Sequence, residues 1–144
     1  MTTAPAIIRF CLFLGLGLWL GLTPVRAQPA NCDFPGQRPI LWVELFMGLN
    51  VPDRGPVTPK EWDAFLKNTV TPRFPEGFTV YDSYGQWLNE KTKTIVREKS
   101  KTIALSVNND ETTKAHIAEV MEAYRRQFHQ LSVGITTSHI CAAF

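Results

Sequence analysis

A mostly apolar run from Ile40 to Leu49 narrows the possible folds of this sequence more sharply than any other segment. Pro39 precedes the run, and the turn sequence Pro52-Asp53-Arg54-Gly55-Pro56 follows it. A short run with turn signals on both sides is typical of a buried strand rather than a helix. Alternate residues of a strand point to opposite faces of its sheet. One face would carry Leu41, Val43, Leu45 and Met47, and the other Ile40, Trp42, Glu44 and Phe46.

The first helix is predicted to begin at the sequence Thr58-Pro59-Lys60-Glu61. Thr58 can cap the helix, Pro59 suits its first turn, and Glu61 can return a hydrogen bond to the cap residue. Because the residue before a proline disfavours helical backbone, we expect the helix to end at Thr71, which precedes Pro72, or just before it. The apolar residues at helical spacing form one stripe, made of Trp62, Phe65, Leu66 and Val70.

The rest of the chain predicts a hairpin, a second helix and a closing strand. Phe78–Trp87 and Thr94–Val107 are rich in aromatic and β-branched residues and are predicted to form the hairpin. Asn108-Asn109-Asp110 offers caps for a helix over Glu111–His129, and Ser132–Cys141 follows as the last strand. The apolar side of the second helix would carry Ile117, Val120, Met121, Tyr124 and Phe128.

The predicted element order is β-α-β-β-α-β, the ferredoxin-like arrangement of the α+β class. It implies a four-stranded antiparallel sheet with both helices on one face. We therefore expect one domain over residues 40–144, preceded by an N-terminal segment over residues 28–39. Leu41 and the other residues on its face would lie under the helices, and Trp42 and Phe46 would lie on the uncovered face.

The start of the chain has the features of an export signal. Arg9 precedes an uninterrupted apolar run from Phe10 to Leu22, and Pro24 ends it. A membrane-spanning helix needs about 20 apolar residues, so this run is short for a permanent anchor. Val25-Arg26-Ala27 places small residues where a signal peptidase reads. We expect residues 1–27 to be a signal peptide and the protein to be periplasmic or secreted, with an uncleaved anchor as the alternative.

Loss of that segment changes the charge and the cysteine content. The full sequence has 15 basic and 13 acidic side chains, and removal of Arg9 and Arg26 leaves the two numbers equal. A neutral chain lacks the usual footprint of a nucleic-acid-binding protein, so we expect no such partner. Cys11 is lost too, and a pair of cysteines in an oxidising compartment favours a disulfide between Cys32 and Cys141 over two free thiols. The predicted topology brings the ends that carry them together.

The uncovered sheet face is predicted to need a partner, because large apolar patches rarely stay exposed on monomers. A homodimer through this face is the preferred prediction, with a bound apolar ligand or the N-terminal segment as alternatives. Glu44 would lie there between Trp42 and Phe46. It could serve as a general acid or base. The preferred interpretation is a salt bridge to Arg73 or Arg97.

Five segments, taken in order, are similar to a known family. They are Val43–Leu49, Thr71–Gly77, Gly85–Trp87, Arg97–Lys101 and Tyr124–Phe128. Together they resemble domain-of-unknown-function family 3574, a group of small exported bacterial proteins. The resemblance covers most of the chain after the export signal, and it implies a bacterial source and export. It implies no activity, substrate or catalytic residue.

The same segments supply the candidate ligand-binding residues. The double-proline segment would hold Arg73 in place, and an arginine fork beside an amide and an indole suits a small polar or anionic ligand. The preferred interpretation is a structural one, in which Arg73 ties its loop to the sheet through Glu98 or Asp82 and Trp87 packs as a lid on the core. The complete candidate set is Trp42, Glu44, Arg73, Gln86, Trp87, Arg97, Glu98 and Ser100.

Two functions of different classes are consistent with these residues. The preferred one is a non-catalytic module that binds a small ligand or a partner. The alternative is a cofactor-independent enzyme of the dimeric α+β-barrel type, with Glu44 or Glu98 as base and Arg73 or Arg97 as charge stabiliser. The histidines lack metal-ligand spacing, so no metal or other cofactor is expected.

Overall fold

The computed structural model describes residues 32–144, and these form a four-stranded sheet with two helices. Its elements in chain order are β1 (Arg38–Gly48), α1 (Pro59–Phe65), a π-helical turn (Leu66–Val70), β2 (Thr79–Asn89), β3 (Thr94–Val107), α2 (Glu111–Gln127) and β4 (Gly134–Ala142). The sheet order is β2-β3-β1-β4, with every neighbouring pair antiparallel. The predicted α+β, ferredoxin-like class is therefore confirmed. The predicted signal peptide lies outside the described residues.

The start of α1 is built as its sequence predicts. The Thr58 side chain accepts a hydrogen bond from the Glu61 backbone N–H, and the Glu61 carboxylate accepts one from the Thr58 N–H at 2.8 Å. The helix then widens into the π-helical turn, where the Thr71 N–H donates to the Leu66 carbonyl at 2.8 Å. This turn ends at Val70, one residue before Thr71, as the predicted helix end requires, and Val70 is fully buried.

The core lies between the helices and one face of the sheet. Tyr124 is at its centre, with its ring 5.1 Å from that of Phe65 and 4.8 Å from that of Phe128. The sheet contributes the predicted face of β1, namely Leu41, Val43, Leu45 and Met47, together with Ile103 and Leu105 of β3. Trp42 and Phe46 lie on the opposite face, which no helix covers within residues 32–144. We call that opposite face the open face.

The end of α2 differs from the prediction. The helix stops at Gln127, and His129 adopts a left-handed conformation with φ of 52° instead of continuing it. The Gln130 N–H donates to the Arg125 carbonyl at 3.0 Å, which closes a Schellman turn. This turn redirects the chain at residues 129–132 towards one end of the sheet. Glycine usually occupies the left-handed position, and its absence hides this ending from sequence inspection.

The predicted disulfide is present and joins Cys32 to Cys141, with Cα atoms 5.6 Å apart. Cys141 lies on β4 opposite Pro39 of β1, so the bond ties the segment before β1 to the edge of the sheet. None of the helices within residues 32–144 has the length and apolar character needed to cross a membrane.

Candidate functional site

A cleft of about 590 Å³ lies on the open face, at the end of the sheet where β1 finishes. Gly48, Glu98 and Ser100 form its floor, and Trp87 and Val96 of the hairpin form one wall. Residues 129–132, which the Schellman turn places there, form the opposite wall. The cleft is therefore built by the hairpin, the end of β1 and the loop after α2. We call it the end cleft.

Glu98 is the acidic group of this cleft, and it is half-buried. Its Oε1 accepts a hydrogen bond from the Asn50 backbone N–H at 2.8 Å. Within residues 32–144, Oε2 accepts no hydrogen bond and no lysine, arginine or histidine forms an ion pair with this carboxylate. Glu98 thus has acceptor capacity that the described protein leaves unused.

Gly48 makes this position of the carboxylate possible. A Cβ at residue 48 would lie 2.6 Å from Oε1 of Glu98 and 2.8 Å from Oε2, well inside contact distance. The Gly48 carbonyl accepts a hydrogen bond from the Tyr124 hydroxyl at 2.8 Å, which ties the cleft floor to the core. Burial raises the pKa of Tyr124, and the nearby Glu98 carboxylate raises it further. The Tyr124 hydroxyl therefore stays a donor.

The two loops beside the cleft are joined to each other. The Gln130 side-chain amide donates to the Asn50 carbonyl and, at 3.2 Å, to the Phe128 carbonyl. Asn50 is thus held by its N–H on Glu98 and by its carbonyl on Gln130. These bonds connect the loop after β1 to the loop after α2 beside the cleft.

Two aromatic rings line the same cleft as the Glu98 carboxylate. Trp87 is 47% exposed and Phe46 is 40% exposed, so each presents part of its ring to solvent. Gly134 leaves room for Phe46, because a Cβ there would lie 3.3 Å from atoms of the Phe46 side chain. Both rings line the cleft and give it apolar surface.

The structure brings three of the predicted site residues together, namely Trp87, Glu98 and Ser100. It does not bring Gln86 or Arg97 to them. These two residues pair across the hairpin and, by strand alternation, point to the face opposite Trp87 and Glu98. The predicted grouping of an arginine, an amide and an indole in one site is therefore wrong.

Arg73 lies elsewhere as well. Its guanidinium forms a salt bridge with Glu119 of α2 at 2.8 Å and donates to the Thr69 carbonyl at 2.8 Å. It lines a separate cleft of about 170 Å³ that also contains His116. The predicted structural pairing of Arg73 with Glu98 or Asp82 is also wrong, since Asp82 pairs with Lys101. Because α2 lies beside the end of the first helix, Arg73 pairs with Glu119 and is kept away from Glu98 and Asp82.

Glu44 lies half-buried on the open face, between the predicted neighbours Trp42 and Phe46 on β1. Its carboxylate accepts a hydrogen bond from the Thr136 hydroxyl at 3.3 Å. No salt bridge to Glu44 forms within residues 32–144, so the expected pairing with Arg73 or Arg97 is wrong. Trp42 and Glu44 do not line the end cleft.

Sequence reasoning missed four residues that shape the cleft, namely Gly48, Asn50, His129 and Gln130. A glycine at the end of an apolar strand is a sign of close approach by another group, and this sign was available for Gly48. The other three depend on loop conformations that a hydrophobic pattern does not report. In the described part of the chain, no group of three or more His, Cys, Asp or Glu side chains could hold a metal ion.

Comparison with protein families gives a match over residues 43–144 to the model of DUF3574, a protein family of unknown function. The chain belongs to this family. Its matched residues include β1 from Val43 onwards and all the later elements, so the end cleft lies within the DUF3574 region. Among curated proteins, no sequence matches the chain.

Solved structures support the fold. A phage SAM lyase in complex with S-methyl-5'-thioadenosine is similar with a TM-score of 0.53 and 18% identity, over 73% of this chain and 90% of that one. A phage SAM lyase in its apo state has a TM-score of 0.53 and 17% identity, over 80% of this chain and 96% of that one. A Bacillus subtilis GlnK–ATP complex has a TM-score of 0.43 and 12% identity, over 75% of this chain and 85% of that one. At these identities the two lyase structures indicate a shared fold and no more.

Proposed function

We propose that this DUF3574 protein is an exported, non-catalytic module that binds a small ligand in the end cleft. One observation carries the proposal: Trp87, Glu98 and Ser100, singled out from the sequence, converge in a cleft whose volume is typical of small-molecule sites. Export is supported by the leader sequence and by the disulfide, since such bonds persist in oxidising compartments.

The enzyme alternative has less support from the geometry. It requires a glutamate base and an arginine stabiliser in one site. Glu98 lies in the end cleft, but no arginine lines that cleft in the described chain. Arg97 follows the opposite face of β3, and Arg73 is paired with Glu119. A single glutamate without such a stabiliser in the described chain favours binding over catalysis.

The test is a thermal-shift screen of small metabolites that includes SAM and S-methyl-5'-thioadenosine, because the similar phage structures are of a SAM lyase and of its complex with that thioadenosine. The cleft-filling variant Ser100→Phe is compared with Ser138→Phe, an exposed serine on β4 outside the cleft. We expect some compounds to raise the melting temperature of wild type and Ser138→Phe but not of Ser100→Phe. Circular dichroism checks that both variants fold.

Two results would contradict this function. Absence of any stabilising compound at saturating concentration would argue against a binding cleft, since a ligand specific for the native state must raise stability. Turnover of SAM or another compound by the wild type would show that the module is catalytic.

The homodimer through the open face stays a prediction. Besides Phe46 and Trp87, Tyr81 exposes 46% of its surface on this face, so aromatic rings remain available to a second copy. Light scattering of the purified protein at several concentrations measures its mass directly. A monomer at all concentrations would leave the open face without the predicted subunit.

A further inference from the structure

We infer that the ligand of the end cleft carries a positively charged organic group, which binds to Glu98 in the cleft that the Trp87 and Phe46 rings also line. This inference rests on the function proposed above and names the chemical class of the ligand. Its starting point is the half-buried carboxylate whose Oε2 has no partner within residues 32–144. A carboxylate partly removed from water and left without a counter-charge costs free energy that a bound cation can recover.

The distribution of charged side chains around Glu98 favours a cationic ligand. No lysine or arginine lines the cleft in the described chain. The hairpin does carry basic side chains beside Glu98 in sequence, namely Arg97 and Lys99, but strand alternation puts them on the other face of β3. The carboxylate therefore faces the cleft while its sequence neighbours face away. Within residues 32–144, a cation from outside the protein therefore meets no lysine or arginine in the cleft, where His129 is the one basic side chain.

The walls of the cleft favour an organic cation over a metal ion. Divalent metal ions require several oxygen or nitrogen ligands, and no group of three suitable acidic, histidine or cysteine side chains exists within residues 32–144. Trp87, Phe46 and Val96 instead give apolar contact surface. Indole and phenyl rings attract ammonium, sulfonium and guanidinium groups through their negative faces, and tryptophan does so best.

The carboxylate is also held in a fixed position, as a binding group requires. The Asn50 N–H fixes Oε1 at 2.8 Å, and the Gln130 side chain fixes the Asn50 carbonyl. Gly48 supplies the space that the carboxylate occupies. Ser100, His129 and Gln130 remain along the cleft as polar groups for the rest of the ligand.

The test uses choline as a cationic probe and 3,3-dimethylbutan-1-ol as its uncharged isostere, with binding measured by calorimetry on the mature protein. Choline is expected to bind in the millimolar range or tighter, at least about tenfold better than the isostere. Glu98→Gln keeps the shape and an acceptor for the Asn50 N–H, so it should fold normally and weaken choline binding at least about tenfold.

Glu44→Gln is the matched control, because Glu44 is a second half-buried carboxylate on the open face but lies outside the cleft. It should leave the choline affinity unchanged within about twofold. Equal binding of choline and its isostere, no choline binding, or unchanged affinity in Glu98→Gln would overturn the inference. Those results leave the proposed binding function intact if the metabolite screen still yields compounds excluded by Ser100→Phe, whereas failure of that screen removes both.

Discussion

The two faces of β1 differ in burial, and the difference separates the stabilising role of one face from the recognition role that we propose for the other. Val43, Leu45 and Met47 are fully buried beneath the helices. Trp42 and Glu44, which alternate with them, are half-buried on the open face, and Phe46 there is 40% exposed. The first set is apolar and closely packed, while the second mixes rings with a carboxylate. Residues on the covered face therefore fix the fold, and residues on the open face are free to contact other molecules.

The same division continues on β3. Ile103 and Leu105 are fully buried under the helices, whereas Glu98 and Ser100 face the cleft near the end of the strand. The cleft lies where β1 ends, so β3 continues there without a neighbour on that side. A binding site at such a boundary can change its side chains at little cost to the core.

Removal of a large ring from the core between the helices and the covered face should have the largest effect. Trp62 is 5% exposed and its ring centroid lies 6.1 Å from those of Phe65 and Tyr124. We expect Trp62→Ala to lower the free energy of unfolding by about 3–5 kcal/mol, through lost apolar contact and the remaining cavity. Urea denaturation followed by circular dichroism measures this change.

Trp87→Ala is the control on the open face. With 47% of the residue exposed, its loss should cost about 1 kcal/mol or less while impairing ligand binding. Equal destabilisation by the two substitutions would contradict the division of roles between the faces.

Gly48→Ala should lower the free energy of unfolding less, because the substitution lies at the end of β1 in the cleft. Its Cβ would displace the Glu98 carboxylate, and because that group ends a flexible side chain we expect a cost of only about 1 kcal/mol. Glu98→Ala removes the group that collides, so the double variant should lose less stability than the sum of the single variants. Additive losses in a double-mutant cycle would show that Gly48 and Glu98 do not interact.

Acid should lower the stability of the fold by protonating the carboxylates at the N-terminal caps of α1 and α2. The Thr58 N–H lowers the pKa of Glu61, and the Thr113 N–H, at 2.8 Å, lowers the pKa of Asp110. Folded-state values below the ordinary 4.5 and 3.8 mean that the stability from these carboxylates is present above about pH 4.5. It is lost as the pH falls through the lowered values.

Unfolding free energies measured from pH 6 down to pH 3 test this dependence. Asp110→Asn retains a capping side chain and should make the decline shallower. An identical pH profile for Asp110→Asn and wild type would mean that this cap does not contribute to acid sensitivity.

Glu44→Gln should have the smallest effect on stability. The carboxylate has no salt bridge within residues 32–144, and its hydrogen bond from Thr136 is long at 3.3 Å. We expect a change within about 0.5 kcal/mol of zero by thermal or urea unfolding. A loss of several kcal/mol would reveal a buried charge pair on the open face.

The fold could be predicted because its signals are periodic and local. The boundaries of β3 and the start of α2 agree with the sequence analysis, and the capping residues of α1 act as expected. Alternation along β1 was enough to separate its two faces, because the side chains of a strand have a fixed period of two residues. The Cys32–Cys141 bond was predicted from the pair of cysteines that remains after the leader, and the predicted topology agreed with it.

The candidate site was only partly predictable. Alternation also separates Gln86 from Trp87 and Arg97 from Glu98, so the sequence contained the reason why these pairs could not share a site. The partner of Arg73 depends on packing between helical segments distant in sequence, since Glu119 lies 46 positions away. The wall formed by residues 129–132 depends on a left-handed His129, for which the sequence offers no glycine.

A choline titration followed by two-dimensional amide NMR tests most directly whether the open-face cleft is the binding site. The Asn50 amide, which donates to Glu98, and the Trp87 indole N–H should shift together along one saturating curve, while resonances of Thr113 and His116 near the smaller cleft stay fixed. Shifts confined to Thr113 and His116, with Asn50 and Trp87 unmoved, would place binding elsewhere and contradict the assignment of recognition to the open face.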